Sequence, residues 1–288
     1  MVDSPAEPPF MRVGPGIAAS PVVLSVPHAG RAYSPALLKA SRLPVAKLES
    51  LEDRLVDRLI WRAVAEGSTA LVAQTPRAEI DLNRDEREVD AAMVSPPPAA
   101  GTLLASARTR GGLGLVPSRI SGSGAIWLQR MTGVELRRRI DEVHRPYHAA
   151  LARLLEEARG RFGVAVLLDC HSMPSRHGEA DSPDIVFGDR HGASIAPNFL
   201  AVAVEAAESA GFRTERNTPY AGGYITARHG RPDRNIHALQ LEIDRSVYLG
   251  PDLRSPGSGF EKTARMIAAV AGALARKALE PAQDIAAE

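Results

Sequence analysis

The stretch Val164-Ala-Val-Leu-Leu-Asp-Cys-His171 constrains the fold more than any other part of the chain. It reads as a strand that is apolar on both faces. Such a strand belongs in the middle of a parallel sheet covered by helices on either side. The rest of the pattern agrees. Pro21-Val-Val-Leu-Ser-Val-Pro27 reads as a buried strand that empties into His28-Ala-Gly. Residues 69–73 and 185–188 read as further strands, and His237-Ala-Leu-Gln-Leu-Glu-Ile-Asp244 alternates apolar and polar as a strand does. Between them lie helical periodicities. Leu48, Leu51, Leu55, Val56, Leu59, Ile60 and Ala63 make one apolar stripe over 45–66. Thr132 caps a helix over 132–160 with Glu135 three residues on, and helices follow at 194–210 and 258–279. Strands flanked by helices predict an α/β fold, a three-layer α/β/α sandwich with a mixed, mostly parallel central sheet.

No repeat or linker divides the chain, so one domain is expected over 21–280, between an irregular lead-in (1–20) and a tail (281–288). Residues 91–124, with Ser95-Pro-Pro-Pro98 and two Gly-rich patches, predict a long surface excursion that serves as a lid or an interface. Lys and Arg total 35 against 34 Asp and Glu, which gives no electrostatic reason to expect nucleic acid or an anionic membrane as a partner. No apolar run approaches the roughly 20 residues needed to cross a bilayer, and the first residues do not form a secretory signal. The one cysteine, Cys170, excludes an internal disulfide framework and a Cys-rich zinc module. The simplest setting is a reduced cytoplasmic one. Oligomeric state is not legible in the sequence.

Ligands of open α/β sheets collect beyond the carboxyl ends of the strands. His28 and His171 both stand at such ends and suit metal ligation or acid–base work. Zinc in a hydrolase takes three protein ligands and keeps a place for water. With one cysteine available, the third ligand is a carboxylate or another histidine. The 48–63 segment offers Glu52, Asp53 and Asp57, and helical phase prefers Glu52. Arg77, Asn83 and Arg84 follow the 69–73 strand and suit a substrate anion. Glu242 lies late in its strand, on one face with Gln240 and Asp244, where it can take a proton from an activated water. Gly222-Gly223 makes a flexible or tight turn without the setting of a phosphate loop. His144, Tyr147 and His148 read as structural and Cys170 as core. No Gly-x-Ser-x-Gly elbow supports a serine hydrolase.

The set Val26-Pro-His-Ala-Gly30, Glu52-Asp-Arg-Leu-Val-Asp57, Asp81-Leu-Asn-Arg84, Asp169-Cys-His-Ser-Met-Pro174, Asn217 with Gly222-Gly223, and Leu239-Gln-Leu-Glu-Ile-Asp-Arg245 resembles the N-formylglutamate amidohydrolase family, in order from about residue 20 to 250. The resemblance implies a zinc-dependent amidase with a zinc-carboxypeptidase-like or aspartoacylase-like fold. It implies that His28, Asp53 and His171 hold one zinc ion, Asp53 taking the place that helical phase gave to Glu52. In the carboxypeptidases a glutamate follows the first histidine by three residues, where this chain has Arg31. Glu242 is then the general base and Arg77 polarises the scissile carbonyl. Asn83 and Arg84 hold a substrate carboxylate, with Gly222, Gly223 and Arg245 in the substrate site. The implied reaction releases formate from N-formyl-L-glutamate, a closing step of histidine degradation. A dicarboxylate needs a second cation, for which Arg31, Arg228 and Arg245 are candidates. Another N-acyl amino acid deacylase, a small metallopeptidase and a metal-free binding protein on the same fold are the alternatives.

Overall fold

The computed structural model describes residues 8–99, 101–175 and 182–281. Its central sheet has seven strands: β1 (Phe10–Val13), β2 (Val22–Val26), β3 (Thr69–Ala73), β4 (Ala165–Met173), β5 (Ile185–Gly188), β6 (Thr214–Arg216) and β7 (Ile236–Asp244). They lie in the order β1-β3-β2-β4-β7-β5-β6. β3, β2, β4 and β7 run parallel to one another, β1 and β5 pair antiparallel to their inner neighbours, and β6 runs with β5. The 164–171 run is therefore central, and every residue of β4 and β7 is buried.

Strand alternation sorts these buried residues between two cores. Val166, Leu168 and Cys170 of β4 join Leu239, Leu241 and Ile243 of β7 beneath two long helices. Those helices are α2 (Pro197–Ser209) and α4 (Phe260–Leu279). Ala165, Leu167 and Ala238 face the opposite layer, where Tyr147, Leu151 and Leu154 of α1 (Arg145–Phe162) cover them. A shorter helix, α3 (Tyr224–His229), completes that side. The result is the expected three-layer sandwich.

The parallel strands bring their carboxyl ends to one edge, and there the α1-facing row turns polar. Ser25 pairs in register with Asp169, Asp169 with Gln240, and His171 with Glu242. His28 follows β2 by two residues, and the segment 74–84 leaves the same end of β3.

Three expectations about local structure need correction. The lead-in is not wholly irregular, because Phe10–Val13 adds an antiparallel edge strand to β3. Residues 1–7 of it, and 282–288 of the tail, lie outside the described residues. The 45–66 stripe is not one helix. It breaks into Val45–Leu48, Glu49–Leu51, Val56–Leu59 and Trp61–Ala65, with an irregular turn at 52–55 where Leu55 takes φ 62°. The break has non-local causes: Arg245 donates to the carbonyls of Ser50 and Glu52, and the Asp53 amide donates to the His28 carbonyl. A helical pattern persists because Leu55, Val56, Leu59, Ile60 and Ala63 still face the core under α4, while Leu48 and Leu51 pack into the opposite core. Finally, 91–124 is not all surface. Residues 114–118 are buried, and the Leu113 carbonyl accepts a hydrogen bond from Arg84.

The 132–160 helix forms as expected, with Thr132 accepting from the Glu135 amide, but it contains a π-helical turn at Ile140–His144. No helix among the described residues is long and apolar enough to cross a membrane.

Candidate metal centre

His28, Asp53 and His171 converge from three separate pieces of chain, and each is at most 3% exposed. His28 Nδ1 lies 3.1 Å from His171 Nδ1. Asp53 Oδ2 lies 3.2 Å from the first and 2.9 Å from the second. The other ring nitrogens point away from this triangle. His28 Nε2 donates to Asp81 Oδ1 at 2.7 Å, and His171 Nε2 donates to Asp169 Oδ2 at 2.9 Å. In the neutral form of each ring these bonds place the proton on Nε2 and leave the Nδ1 lone pair aimed at the same carboxylate oxygen, the state that metal ligation requires. Three converging acceptors repel one another unless positive charge sits among them. Ligand atoms about 2 Å from a tetrahedral ion stand about 3.3 Å apart, close to the 2.9–3.2 Å found here. The donor set thus fits a divalent metal, and the three residues can hold one ion.

The charges around the centre follow from the same contacts. Without a metal, where Nδ1 can carry a proton, burial pushes the Asp53 carboxyl up, but hydrogen bonds from His171 and His28 outweigh it and hold the group well below its ordinary value. Burial lowers His171, yet Asp169 and Asp53 dominate and raise it well above the usual imidazole range. Asp81 is held well below a normal carboxyl because Arg77, Arg84 and His28 together outweigh its desolvation.

Glu242 stands beside His171 on the neighbouring strand. Gln240 Nε2 donates to Glu242 Oε1 at 2.8 Å. Burial pushes the Glu242 carboxyl up to about 7, with His171 and Arg77 opposing and Asp53 reinforcing the shift. A carboxyl poised near neutrality beside a metal centre can accept and return a proton.

The remaining candidates are placed as follows. Arg77 donates through Nε and approaches through Nη2 to Asp81 Oδ2, both at 2.9 Å, and it keeps a partly exposed edge. Asn83 accepts the Ile225 amide at 2.8 Å, and its Nδ2 lies 3.3 Å from Gln240 Oε1. Arg84 is buried and donates to Leu113 and Asn83 carbonyls. Burial lowers Arg84 to about 10. Gly222 takes φ +115°, and a Cβ on Gly223 would come within 2.3–2.4 Å of the Asn83 amide, so only glycine fits there.

Helical phase chose wrongly between Glu52 and Asp53. Glu52 accepts from Tyr33 and Arg54, away from the histidines. Asp53 faces them because the 52–55 turn is not helical, so one residue's step reverses its direction. Arg245 is engaged by this turn rather than open to a substrate. It reaches Ser172, the Ser50 and Glu52 carbonyls and Asp53. Arg31 pairs with Asp57, and Arg228 donates to Tyr224 on an exposed face. Asp81 and Asp169, which bond the far nitrogens of His28 and His171, are carboxylates to which the sequence reading gave no role. Asp169 carried a signal, since it lies two residues before His171 and therefore shares its strand face. Asp81 follows a turn, and no periodicity fixes its direction.

A layered α/β protein with two histidines at its strand ends, a carboxylate turned toward them, and a buried carboxyl poised near neutrality beside them has the equipment of a hydrolase. Comparison with known proteins defines which kind. The family model of N-formylglutamate amidohydrolase matches residues 20–249. An N-formylglutamate deformylase of Pseudomonas putida is 32% identical over 238 residues, covering 80% of this chain and 82% of the relative. One from Pseudomonas aeruginosa is 30% identical over 236 residues, with the same coverage. The crystal structure of N-formylglutamate amidohydrolase from Ralstonia eutropha superposes with a TM-score of 0.84 at 32% identity, over 94% of this chain and 97% of that one. A protein from Agrobacterium tumefaciens, at 16% identity and a TM-score of 0.64, shares the fold. The chain belongs to the N-formylglutamate amidohydrolase family and is a hydrolase acting on an amide bond.

Proposed function

We propose that this protein is a zinc enzyme that hydrolyses N-formyl-L-glutamate to formate and L-glutamate. The observation that carries the reading is the convergence of His28 Nδ1, His171 Nδ1 and Asp53 Oδ2 beside Glu242. The names of the relatives supply the substrate. A divalent ion held by His28, Asp53 and His171 would supply a Lewis acid that acidifies water and polarises the formyl carbonyl. Glu242 takes a proton from the attacking water as the new C–O bond forms at the formyl carbon. It returns that proton to the nitrogen as the C–N bond breaks, so formate and a free amine leave. Arg77, fixed by Asp81, offers its exposed edge to the developing oxyanion. Asn83 and Arg84 hold the α-carboxylate. Arg245 and Ser172 keep Asp53 turned inward.

The second carboxylate of the substrate meets Arg108. With Arg31, Arg228 and Arg245 otherwise engaged, Arg108 has a guanidinium without a hydrogen-bond or ion-pair partner among the described residues, and its charge acts on both Arg84 and Tyr220. The backbone ties it to the site, since its carbonyl accepts from Leu113, whose own carbonyl accepts from Arg84. Substituting Arg108→Gln is expected to lower the preference for N-formyl-L-glutamate over N-formyl-L-glutamine about 30-fold in kcat/KM, the loss expected of one charge-assisted hydrogen bond. An unchanged preference would assign the second carboxylate elsewhere.

The function itself is tested by formate release. Purified protein should carry about one zinc per chain and release formate from N-formyl-L-glutamate. A chelator should abolish the activity, and added zinc should restore it. Zinc without formate release would redirect the search to other N-acyl amino acids, and no zinc at all would remove the reading. Gly223→Ala should lower kcat/KM about 100-fold, since the new Cβ displaces Asn83. Circular dichroism should show that variant still folded, and full activity would separate Asn83 from substrate binding.

A further inference from the structure

Three buried histidines stand behind the Asn83–Arg84 segment and take no part in the chemistry above. His144 ends the π-helical turn, His148 lies on α1, and His229 ends α3. His148 Nε2 is 3.0 Å from the Leu82 carbonyl, and His144 Nε2 is 2.8 Å from the Arg84 carbonyl. A carbonyl only accepts, so both rings carry their proton on Nε2. His148 Nδ1 is then an acceptor, and it takes the Nε2–H of His229 at 3.0 Å. His144 Nδ1 is buried with no partner. The hydrogen-bond pattern suits neutral rings: with His229 donating through Nε2, a proton on His148 Nδ1 would set two N–H groups against each other.

The surroundings keep the trio neutral. Burial lowers all three rings. His144, His229 and Arg228 lower His148 further, and Arg228 and Arg231 push His229 down to about 3. His144 is lowered by burial, although the Arg84 carbonyl, Glu86 and Asp81 oppose the shift. The Tyr224 ring packs on His144 and His148, at 5.8 Å and 5.2 Å between centroids. The next residue, Ile225, donates its amide to Asn83 Oδ1. The trio and α3 therefore grip the backbone on both sides of Asn83 and the amide of its side chain. Apolar side chains would fill this interior without leaving an unpaired acceptor. What imidazole adds is two donors of fixed direction for the carbonyls of residues 82 and 84.

We infer that His144, His148 and His229 are positioning residues, a packed neutral cluster whose His144 and His148 hydrogen-bond the backbone on either side of Asn83 and so aim Asn83 and Arg84 at the substrate. The inference rests on the reading of Asn83 and Arg84 as the carboxylate anchor. His148→Gln and His148→Leu test it. The glutamine amide can donate to Leu82 and its carbonyl can accept from His229, whereas leucine can do neither. His148→Leu should raise KM for N-formyl-L-glutamate about tenfold with a smaller change in kcat, and His148→Gln should restore KM to within about threefold. Nitrogen-15 spectra of the unmodified protein should show His144 and His148 as neutral Nε2–H tautomers from pH 8 down to pH 5.5. Unchanged KM in both variants, equal damage by leucine and glutamine, or rings that titrate near pH 6.5 would each overturn the inference. Should His148→Leu not fold, the glutamine variant and the spectra decide. If the unmodified protein releases no formate, the hydrolase reading falls separately. The trio is then judged by calorimetric binding of L-glutamate: loss in His148→Leu and recovery in His148→Gln uphold it, and equal binding in all three proteins overturns it.

Discussion

Glu242→Gln is expected to abolish formate release, lowering kcat about a thousandfold, while the protein keeps its full complement of zinc. Glutamine preserves the shape and the contact with Gln240 but cannot take a proton from water. Metal binding should persist because Glu242 is not among the three converging side chains. The same variant should make the metal-free protein more stable at pH 8. Burial raises the Glu242 carboxyl from 4.5 to about 7, so the folded state holds this proton more tightly than the unfolded chain does. Its contribution to stability is complete below pH 4.5 and is lost as the pH rises to 7. Above that, ionising the buried group costs roughly 3 kcal/mol, which glutamine avoids. Thermal unfolding of the metal-free proteins should therefore show a higher midpoint for the variant at pH 8 and none of this gain at pH 4. Retained activity would remove Glu242 from the mechanism, and equal midpoints at pH 8 would show that it is not strained.

Asp53→Asn is the second substitution with a large expected effect. Asparagine keeps the size of the side chain and can still meet Ser172, but it removes the negative charge between the two histidines. Zinc measured after dialysis should fall from about one per chain to near zero, and activity should fall with it. Asp169→Asn makes the informative comparison. Asp169 touches the far nitrogen of His171 and not the centre itself, so its loss should weaken zinc binding about 10–100-fold without abolishing it. Ser25 and Tyr147 extend this support, since Ser25 donates to Asp169 Oδ1 at 2.7 Å and lies 2.9 Å from the Tyr147 hydroxyl. If Asp53→Asn kept its zinc and Asp169→Asn lost it, the assignment of ligand and support would be reversed.

That His28, His171 and Glu242 come together was legible because each sits on or just beyond a strand. There the two-residue period fixes which face a side chain takes, and parallel pairing collects the strand ends at one edge. The α/β layering was legible for the same reason: a run such as 164–171 has no stable place except between two covering layers. Asp53 was legible only through the family's motif, because apolar spacing over 45–66 describes what faces the core and says nothing of where a helix breaks. That break depends on Arg245, far away in sequence, and on the His28 carbonyl. Arg31 and Arg245 looked available to a substrate until the fold paired them with Asp57 and with the 50–53 turn.

The sequence by itself determined the layers, the strand that lies at their centre, and the three side chains that strands deliver to the carboxyl edge. Alternation and burial are local properties, and the chain states them residue by residue. Only the tertiary structure decided which carboxylate turns toward the histidines, which two stand behind them, and which arginines are already engaged. Those choices are made by hydrogen bonds between segments far apart in the chain, and no periodicity records them.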